Sequence, residues 1–231
     1  MGTAIAARSV EALPSDRFGD ADPGEGRFRT LLPDADWAAL PAAVRRRFSR
    51  RLAGGEPAVY VGTVVEAWTS RAGWLLAHAL RLMGGPLPTG CEAGASAVVS
   101  VTEDKGSGDQ IWTRLYARRR FPQVIHSAKR FCGPTGIEEH VGCGVGMTLS
   151  VAVEERALVF RSHRYFIDFG RWRMHLPAWA TPGALTVQHI EETSGRFTFS
   201  LEIVHPRLGA LLRQRVSFRE ANPGVLPNAV P

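Results

Sequence analysis

The sequence predicts an α+β fold with a mainly antiparallel, strongly curved or barrel-like β-sheet of about eight strands and two helices in the N-terminal half. Short alternating segments separated by turn residues fill most of the chain after position 88, which is typical of antiparallel sheets. Two helical patterns precede them, from Ala42 to about Leu52 and from Ser70 through Met83. A sheet of this size curls or closes to hide its edges, so either a strongly curved sheet or a barrel is expected.

The two helices have clear start signals. Leu40-Pro41 places a proline where the first helical turn begins, and Ser70 can cap the second helix. Arg45-Arg46-Arg47 and Arg50-Arg51 on the first helix indicate either an anion-binding patch or an ordinary solvated face. The second helix is apolar nearly all round, which predicts deep packing.

Nine stretches alternate with a period of two and are interpreted as strands. They are Val59 to Ala67, Ala97 to Thr102, Gln110 to Arg118, Gln123 to Arg130, Glu139 to Val153, Ala157 to Phe169, Leu185 to Ile190, Phe197 to His205 and Leu211 to Phe218. Within the fifth, Gly142, Gly144 and Gly146 predict a sharp bend or a close neighbour.

Length and composition predict one domain. The 231 residues are 45% hydrophobic, which is enough for a single core. Residues 1–27 lack sustained periodicity and are predicted to be a flexible arm, and prolines mark 220–231 as a flexible tail. The β-rich domain is therefore expected to span 28–219.

Charge and cysteine usage exclude several classes of protein. The formal charge is +6, but the arginines are distributed along the chain, so no nucleic-acid partner is expected. Three cysteines without CxxC spacing suit a reducing compartment. No stretch could span a bilayer, and Met1 to Arg8 lacks the order of a signal peptide, which favours a cytoplasmic location.

The candidate site lies between Ile111 and Cys143. Trp112, Arg114 and Tyr116 share one strand face, and Glu139 stands on a strand face that is otherwise apolar. A buried carboxylate needs a partner, because a lone charge in an apolar surrounding is unfavourable. We therefore expect Arg114 and Glu139 to meet inside the curved sheet.

Two interpretations of this pair stay open. It can be a structural ion pair that fixes strand register. Alternatively, it is a polar anchor that orients a carbonyl or carboxylate, with Glu139 or His126 moving a proton. The candidate catalytic residues are Glu139, Arg114 and His126. The candidate ligand-binding residues are Trp112, Tyr116, Ser127, His163, Tyr165 and Trp172.

No cofactor or metal is expected. The seven histidines are scattered over separate elements, and there is no HExxH pattern or phosphate loop. Gly142-Cys143-Gly144-Val145-Gly146 has glycine spacing that suits a dinucleotide loop, but it opens a strand rather than a helix.

Several motifs in order resemble the bacterial family known as domain of unknown function 4166. They include Leu40-Pro41, Tyr60-x-Gly62, Trp112-x-Arg114, Glu139-x-x-Gly142, His175-Leu176-Pro177-x-Trp179-x-x-Pro182 and Phe197-x-Phe199. The resemblance implies the fold and the importance of positions Trp112, Arg114, Ser127 and Glu139, and it implies no reaction. Members of this family also resemble domains joined to saccharopine-dehydrogenase-like or short-chain-reductase-like modules, which implies a possible oxidoreductase partner.

Two hypotheses for function follow. In the first, the sheet encloses an apolar pocket that binds a lipophilic small molecule, and the protein acts as a cofactor-independent isomerase or cyclase on it. In the second, the domain is a non-catalytic interaction module that docks on a reductase or another partner enzyme. A filled interior with a broad exposed apolar patch would favour the second.

Overall fold

The computed structural model describes residues 26–221 except 53, 84–86, 90, 91 and 120. The predicted arm lies outside the described residues up to position 25, and the predicted tail lies outside them from position 222. No helix in the described part of the chain is long and apolar enough to cross a membrane.

Eleven strands and three α-helices form the fold. The strands are β1 Ala58–Thr69, β2 Ser96–Glu103, β3 Gln110–Tyr116, β4 Gln123–Arg130, β5 Glu138–Gly142, β6 Val145–Glu154, β7 Ala157–Phe169, β8 Trp172–His175, β9 Ala184–Glu191, β10 Arg196–His205 and β11 Gly209–Glu220. The helices are α1 Asp34–Ala39, α2 Ala42–Ser49 and α3 Arg71–Ala79, and a 3-10 turn at Leu80–Met83 extends α3.

Ten strands close into an antiparallel barrel. The strand order is β6-β5-β4-β3-β2-β1-β11-β10-β9-β7, and β6 pairs with β7 to complete the ring. The remaining strand, β8, pairs with residues 166–169 of β7, beyond the part of β7 that pairs with β9. The prediction of an α+β fold with an antiparallel barrel-like sheet is confirmed, although the strand number exceeds the expected eight.

The extra strands have identifiable causes. The predicted strand from Glu139 to Val153 is two strands, because Cys143 and Gly144 both take positive φ angles and form a tight turn between β5 and β6. The short strand β8 was not predicted, since four residues give too little alternation to detect.

The two ends of the barrel differ. Because neighbouring strands are antiparallel, successive turns alternate between the ends, and α1 and α2 lie at the end that holds the turns 104–109, 155–156 and 192–195. Phe48 of α2 packs inward at this end, with its ring 6.1 Å from Phe160 and 5.2 Å from His189. We call this the closed end. The open end holds α3 and the turns after β3, β5, β7 and β10.

The arginine run on α2 fits neither expectation as a whole, because Arg46 and Arg50 are exposed while Arg47 and Arg51 form ion pairs. Arg47 is buried and forms ion pairs with Glu191 and Glu220, and its guanidinium lies 4.1 Å from the centre of the Phe197 ring. Arg51 pairs with the buried Glu103 of β2. These two arginines therefore attach α2 to the barrel instead of forming a free anion-binding patch or a solvated face.

The prediction that the second helix is deeply packed is wrong. Ser70 caps α3 as expected, accepting a hydrogen bond from the Gly73 amide at 3.0 Å. Only the Gly73 and Ala77 face is buried, while the side chains of Trp74 and Leu75 are more than half exposed. The helix lies across the open end with one face in contact with β11, so its other face remains uncovered.

Candidate functional site

A cavity of about 210 Å³ lies inside the barrel. Most of its wall is apolar and is supplied by side chains from strands all round the ring, including Val99, Ile125, Met147, Phe160, Leu185, Val187, Phe199, Val216 and Phe218. At the open end the wall continues through Leu76 and Leu80, which follow the capped start of α3, and through Ala180 and Pro182. Since Ala180 is exposed and both leucines are only partly buried, the cavity reaches the surface at this end.

Three charged side chains meet in one part of the wall. The Lys129 ammonium lies 2.8 Å from Glu139 Oε2, and Arg114 Nη2 lies 3.5 Å from Glu139 Oε1. Strand alternation explains the convergence: Arg114 on β3, Lys129 on β4 and Glu139 on β5 all point inward on neighbouring strands. We call these three residues the charged triad.

The triad carries more positive than negative charge. Of the described residues that line the cavity, these three are the only arginine, lysine, aspartate or glutamate side chains, so two cations share one carboxylate. Arg114 donates a hydrogen bond to Ser127 Oγ at 2.9 Å, and this leaves donors of its guanidinium free for a further acceptor. The arrangement can therefore bind a carboxylate or carbonyl oxygen from the cavity side.

Burial and mutual charge set the protonation of the triad. Burial raises the pKa of Glu139, but the charges of Lys129 and Arg114 outweigh burial, and the pKa falls to about 2. Burial lowers the pKa of the Lys129 ammonium, and the Glu139 carboxylate offsets part of this effect. Glu139 is thus held ionised at neutral pH and is a weak proton acceptor.

Aromatic rings surround the cations. The Lys129 ammonium lies 5.4 Å from the ring centres of both Trp112 and Phe160, and the Arg114 guanidinium lies 5.7 Å from Trp112. Contacts of this kind favour a cation over an aromatic face. Trp112 also donates from its indole nitrogen to Gln110 Oε1 at 3.3 Å, which fixes the ring beside the triad.

Two more polar side chains line the cavity. Tyr165 donates a hydrogen bond to the Gly183 carbonyl at 2.9 Å, and burial raises the pKa of its phenol to about 12. Gln214 on β11 is 3% exposed, and its Nε2 has no hydrogen-bond partner in the described structure. A buried amide without a partner is unfavourable, so this side chain suits an acceptor supplied by a ligand.

Comparison with known proteins places the fold and these residues in one family. The sequence profile of Domain of unknown function (DUF4166) matches residues 40–218. The chain belongs to this family. The DUF4166 match includes the charged triad, Gln214 and most of the barrel. No curated protein and no solved structure matches the chain.

The structure brings several predicted site residues together around the DUF4166 cavity. Arg114 and Glu139 meet inside the barrel as expected. Trp112, Tyr116, Ser127 and Tyr165 also line the cavity. Their roles in binding or catalysis stay predictions.

Three predicted site residues lie elsewhere. His126 borders the wall, but its imidazole is exposed on the outer face, where Nδ1 lies 3.0 Å from Thr113 Oγ1. His163 is exposed because a bulge in β7 turns Ser162 and Tyr165 inward in its place. Trp172 is 70% exposed on β8, outside the barrel. His163 and Trp172 do not line the cavity, and the exposed imidazole of His126 lies away from the triad.

Two residues of the site were missed from the sequence. Lys129 makes a shorter contact with Glu139 than Arg114 does, and Gln214 supplies the unpaired amide. Alternation could have found both, because Lys129 shares a face with Ile125 and Ser127, and Gln214 shares one with Val216. A lysine near a strand end is more often solvated, so the pattern alone did not single it out.

Proposed function

We propose that the protein binds a lipophilic small molecule inside the barrel, with an acidic or carbonyl oxygen of that molecule held against Arg114. The observation that carries the proposal is the charged triad, in which the buried Lys129 and the partly buried Arg114 share one carboxylate at the wall of an apolar cavity. A negatively charged ligand oxygen would neutralise the excess positive charge of the triad. The apolar wall would contact the rest of the ligand.

The cavity volume limits the enclosed part of the ligand. An apolar cavity of about 150 Å³ accommodates benzene, so about 210 Å³ corresponds to roughly eight to ten non-hydrogen atoms. A longer tail would extend through the open end. Octanoate therefore makes a suitable probe, and octan-1-ol makes its uncharged counterpart.

Catalysis is not part of the proposal. A cofactor-independent isomerase or cyclase needs a group in contact with the ligand that exchanges a proton near neutral pH. Glu139 has a pKa of about 2, and the His126 imidazole is on the outer face, so neither predicted proton carrier suits this task. Binding requires no such group.

The alternative of a reductase-docking module rests on a different expectation. Desolvated charges beside an internal cavity reduce the stability of the fold. A domain that serves only as an interaction surface has no functional need for such a cavity. The open space beside the triad therefore supports a ligand-binding protein over a solely structural module.

Calorimetric titration with octanoate and octan-1-ol tests the proposal. The wild type should bind octanoate more tightly than octan-1-ol. Arg114→Met should abolish that preference, while Arg213→Met should keep it, because Arg213 is exposed and pairs with Glu202 on the barrel exterior. If neither compound binds, or if Arg114→Met leaves the preference intact, the proposal is wrong.

A further inference from the structure

Large exposed apolar side chains are concentrated at one end of the barrel. Trp74 and Leu75 lie on α3, Phe121 follows β3, and Phe169 and Trp172 lie on either side of the turn between β7 and β8. Trp179 lies in the segment that leads into β9, and it is 76% exposed. Antiparallel alternation puts all of these segments at the open end. We call these six residues the aromatic rim.

The closed end lacks a comparable surface. Among the described residues, the exposed large apolar side chain nearest that end is Ile111, the second residue of β3. The connecting segments 104–109, 131–137 and 192–195 add none. An apolar surface confined to one end of a protein marks an interaction site more strongly than scattered single residues do.

The segments of the open end are also basic. Their described charged residues are Arg71, Arg81, Arg118, Arg119, Arg171 and Arg207, with Glu92 as the single carboxylate. At the closed end, by contrast, arginines are interspersed with Asp34, Asp36, Glu56, Asp104 and Glu155. The charge around the aromatic rim therefore complements an anionic surface.

The part of the rim on β8 is held firmly. Arg173 donates to both carboxylate oxygens of the fully buried Glu138, at 2.6 and 3.0 Å, and also pairs with Asp168. Its guanidinium stacks 3.7 Å from the Phe166 ring centre. The neighbouring Trp172 is thus presented on an anchored strand, with the Arg171 guanidinium 5.9 Å from its ring.

We propose that the aromatic rim docks on the surface of a lipid bilayer that contains anionic lipids. Tryptophan and phenylalanine rings insert at the boundary between the lipid headgroups and the acyl chains. Neighbouring arginine side chains contact the lipid phosphates. The rim surrounds the mouth of the cavity, so docking would let a lipophilic ligand pass between bilayer and barrel without crossing water. This last step rests on the proposed function, whereas docking itself does not.

Vesicle flotation of the full chain tests the docking. The wild type should float with vesicles of equal parts phosphatidylcholine and phosphatidylglycerol, and more weakly with phosphatidylcholine alone. The double variant Trp172→Ala and Trp179→Ala should lose about tenfold or more in vesicle affinity, because two large apolar groups no longer insert. Ile111→Ala, a truncation near the closed end, should bind as the wild type does.

Charge reversal separates the electrostatic part. Arg119→Glu and Arg171→Glu should each weaken binding to the anionic vesicles by roughly fivefold or more and leave binding to phosphatidylcholine nearly unchanged. Arg46→Glu, an exposed position on α2, is the matched control. If the wild type floats with neither vesicle, the proposal is overturned. Equal losses in rim and control variants would also overturn it.

Octanoate titration of the same variants keeps the two proposals distinct. The rim variants should still bind octanoate, since their side chains lie outside the cavity. If the wild type binds vesicles but does not bind octanoate, the cavity proposal is wrong and the docking proposal is still supported.

Discussion

At the scale of single residues, Glu139 is the group on which the cavity depends most. It is 7% exposed and compensates both Lys129 and Arg114. The sequence predicted the Arg114 contact because an acid stood on an apolar strand face. It did not predict Lys129, and this changes what a mutation should do.

Removing the acid alone should be destabilising. Glu139→Leu leaves the buried Lys129 and the partly buried Arg114 without an anion, and we expect a loss of about 3–5 kcal/mol in the free energy of unfolding. Lys129→Met combined with Glu139→Leu removes one charge of each sign, so the double variant should return to within about 2 kcal/mol of the wild type. Urea unfolding measures both. A double variant as unstable as the single one would mean that the pair is needed for packing.

His189 gives the fold a separate pH dependence. It is 1% exposed, its ring stacks on Phe197 with centroids 4.7 Å apart, and Arg47 Nη1 lies 3.5 Å from its Nε2. Burial, assisted by the charge of Arg47, lowers the pKa of His189 from 6.5 to about 3. The unfolded chain therefore binds a proton more readily than the folded protein does.

This difference fixes the sign of the effect. The stabilisation from neutral His189 is complete above pH 6.5 and is lost as the pH falls towards about 3. At about 1.4 kcal/mol per pH unit, the wild type should lose roughly 2 kcal/mol between pH 6.5 and 5. His189→Phe removes the titrating group, so its urea midpoint should change much less over that interval. Parallel pH profiles would contradict the assignment.

At the scale of elements, the turns are where the sequence was hardest to interpret. The predicted strands Glu139 to Val153 and Ala157 to Phe169 are separated by only three residues, and the structure forms a hairpin there between β6 and β7. The turn between β5 and β6 was expected only as a bend or a close approach at its glycines, because hydrophobic alternation continues through it from Val141 to Val145. The two strands are separated by the positive φ angles of Cys143 and Gly144. Hydrophobic alternation in the sequence gives no information about these backbone angles.

Gly144 is the residue that this turn requires. Its φ is +76°, and an added Cβ would meet the Asp168 carbonyl oxygen at 2.3 Å. Gly170 has a similar φ of +61° with nothing within 4 Å, so it serves as the control. Gly170→Ala should lose about 1–2 kcal/mol from backbone strain alone, and Gly144→Ala about 2 kcal/mol more. Equal thermal shifts in the two variants would show that the turn adapts without strain.

At the scale of the whole molecule, the sequence predicted the class of fold but not its closure. Period-two alternation indicated a curved antiparallel sheet because every strand has one buried face. Closure depends on the pairing of β1 with β11 and of β7 with β9, and no local pattern reports pairings between strands that lie far apart in the sequence. The cavity is likewise a property of the closed ring, since it is the space that the inward side chains leave unfilled.

The two ends of the barrel differ in how they are covered. The helices α1 and α2 fill the closed end with Trp37, Leu40, Val44 and Phe48, which belong to the same buried cluster as Phe160. In the described part of the chain, the open end has one α-helix, α3, together with the mouth of the cavity and the aromatic rim. The sequence showed the apolar residues of the rim but not their common location, because they come from four separate segments.

Native mass spectrometry of the freshly purified full chain tests the central claim most directly. We expect the wild type to carry an additional mass that disappears on denaturation, and Arg114→Met to appear at the mass of the chain alone. Arg213→Met should retain the additional mass. A wild type that appears only at the mass of the chain, and that also fails to bind octanoate, would contradict the account of a barrel that binds a lipophilic ligand through the charged triad.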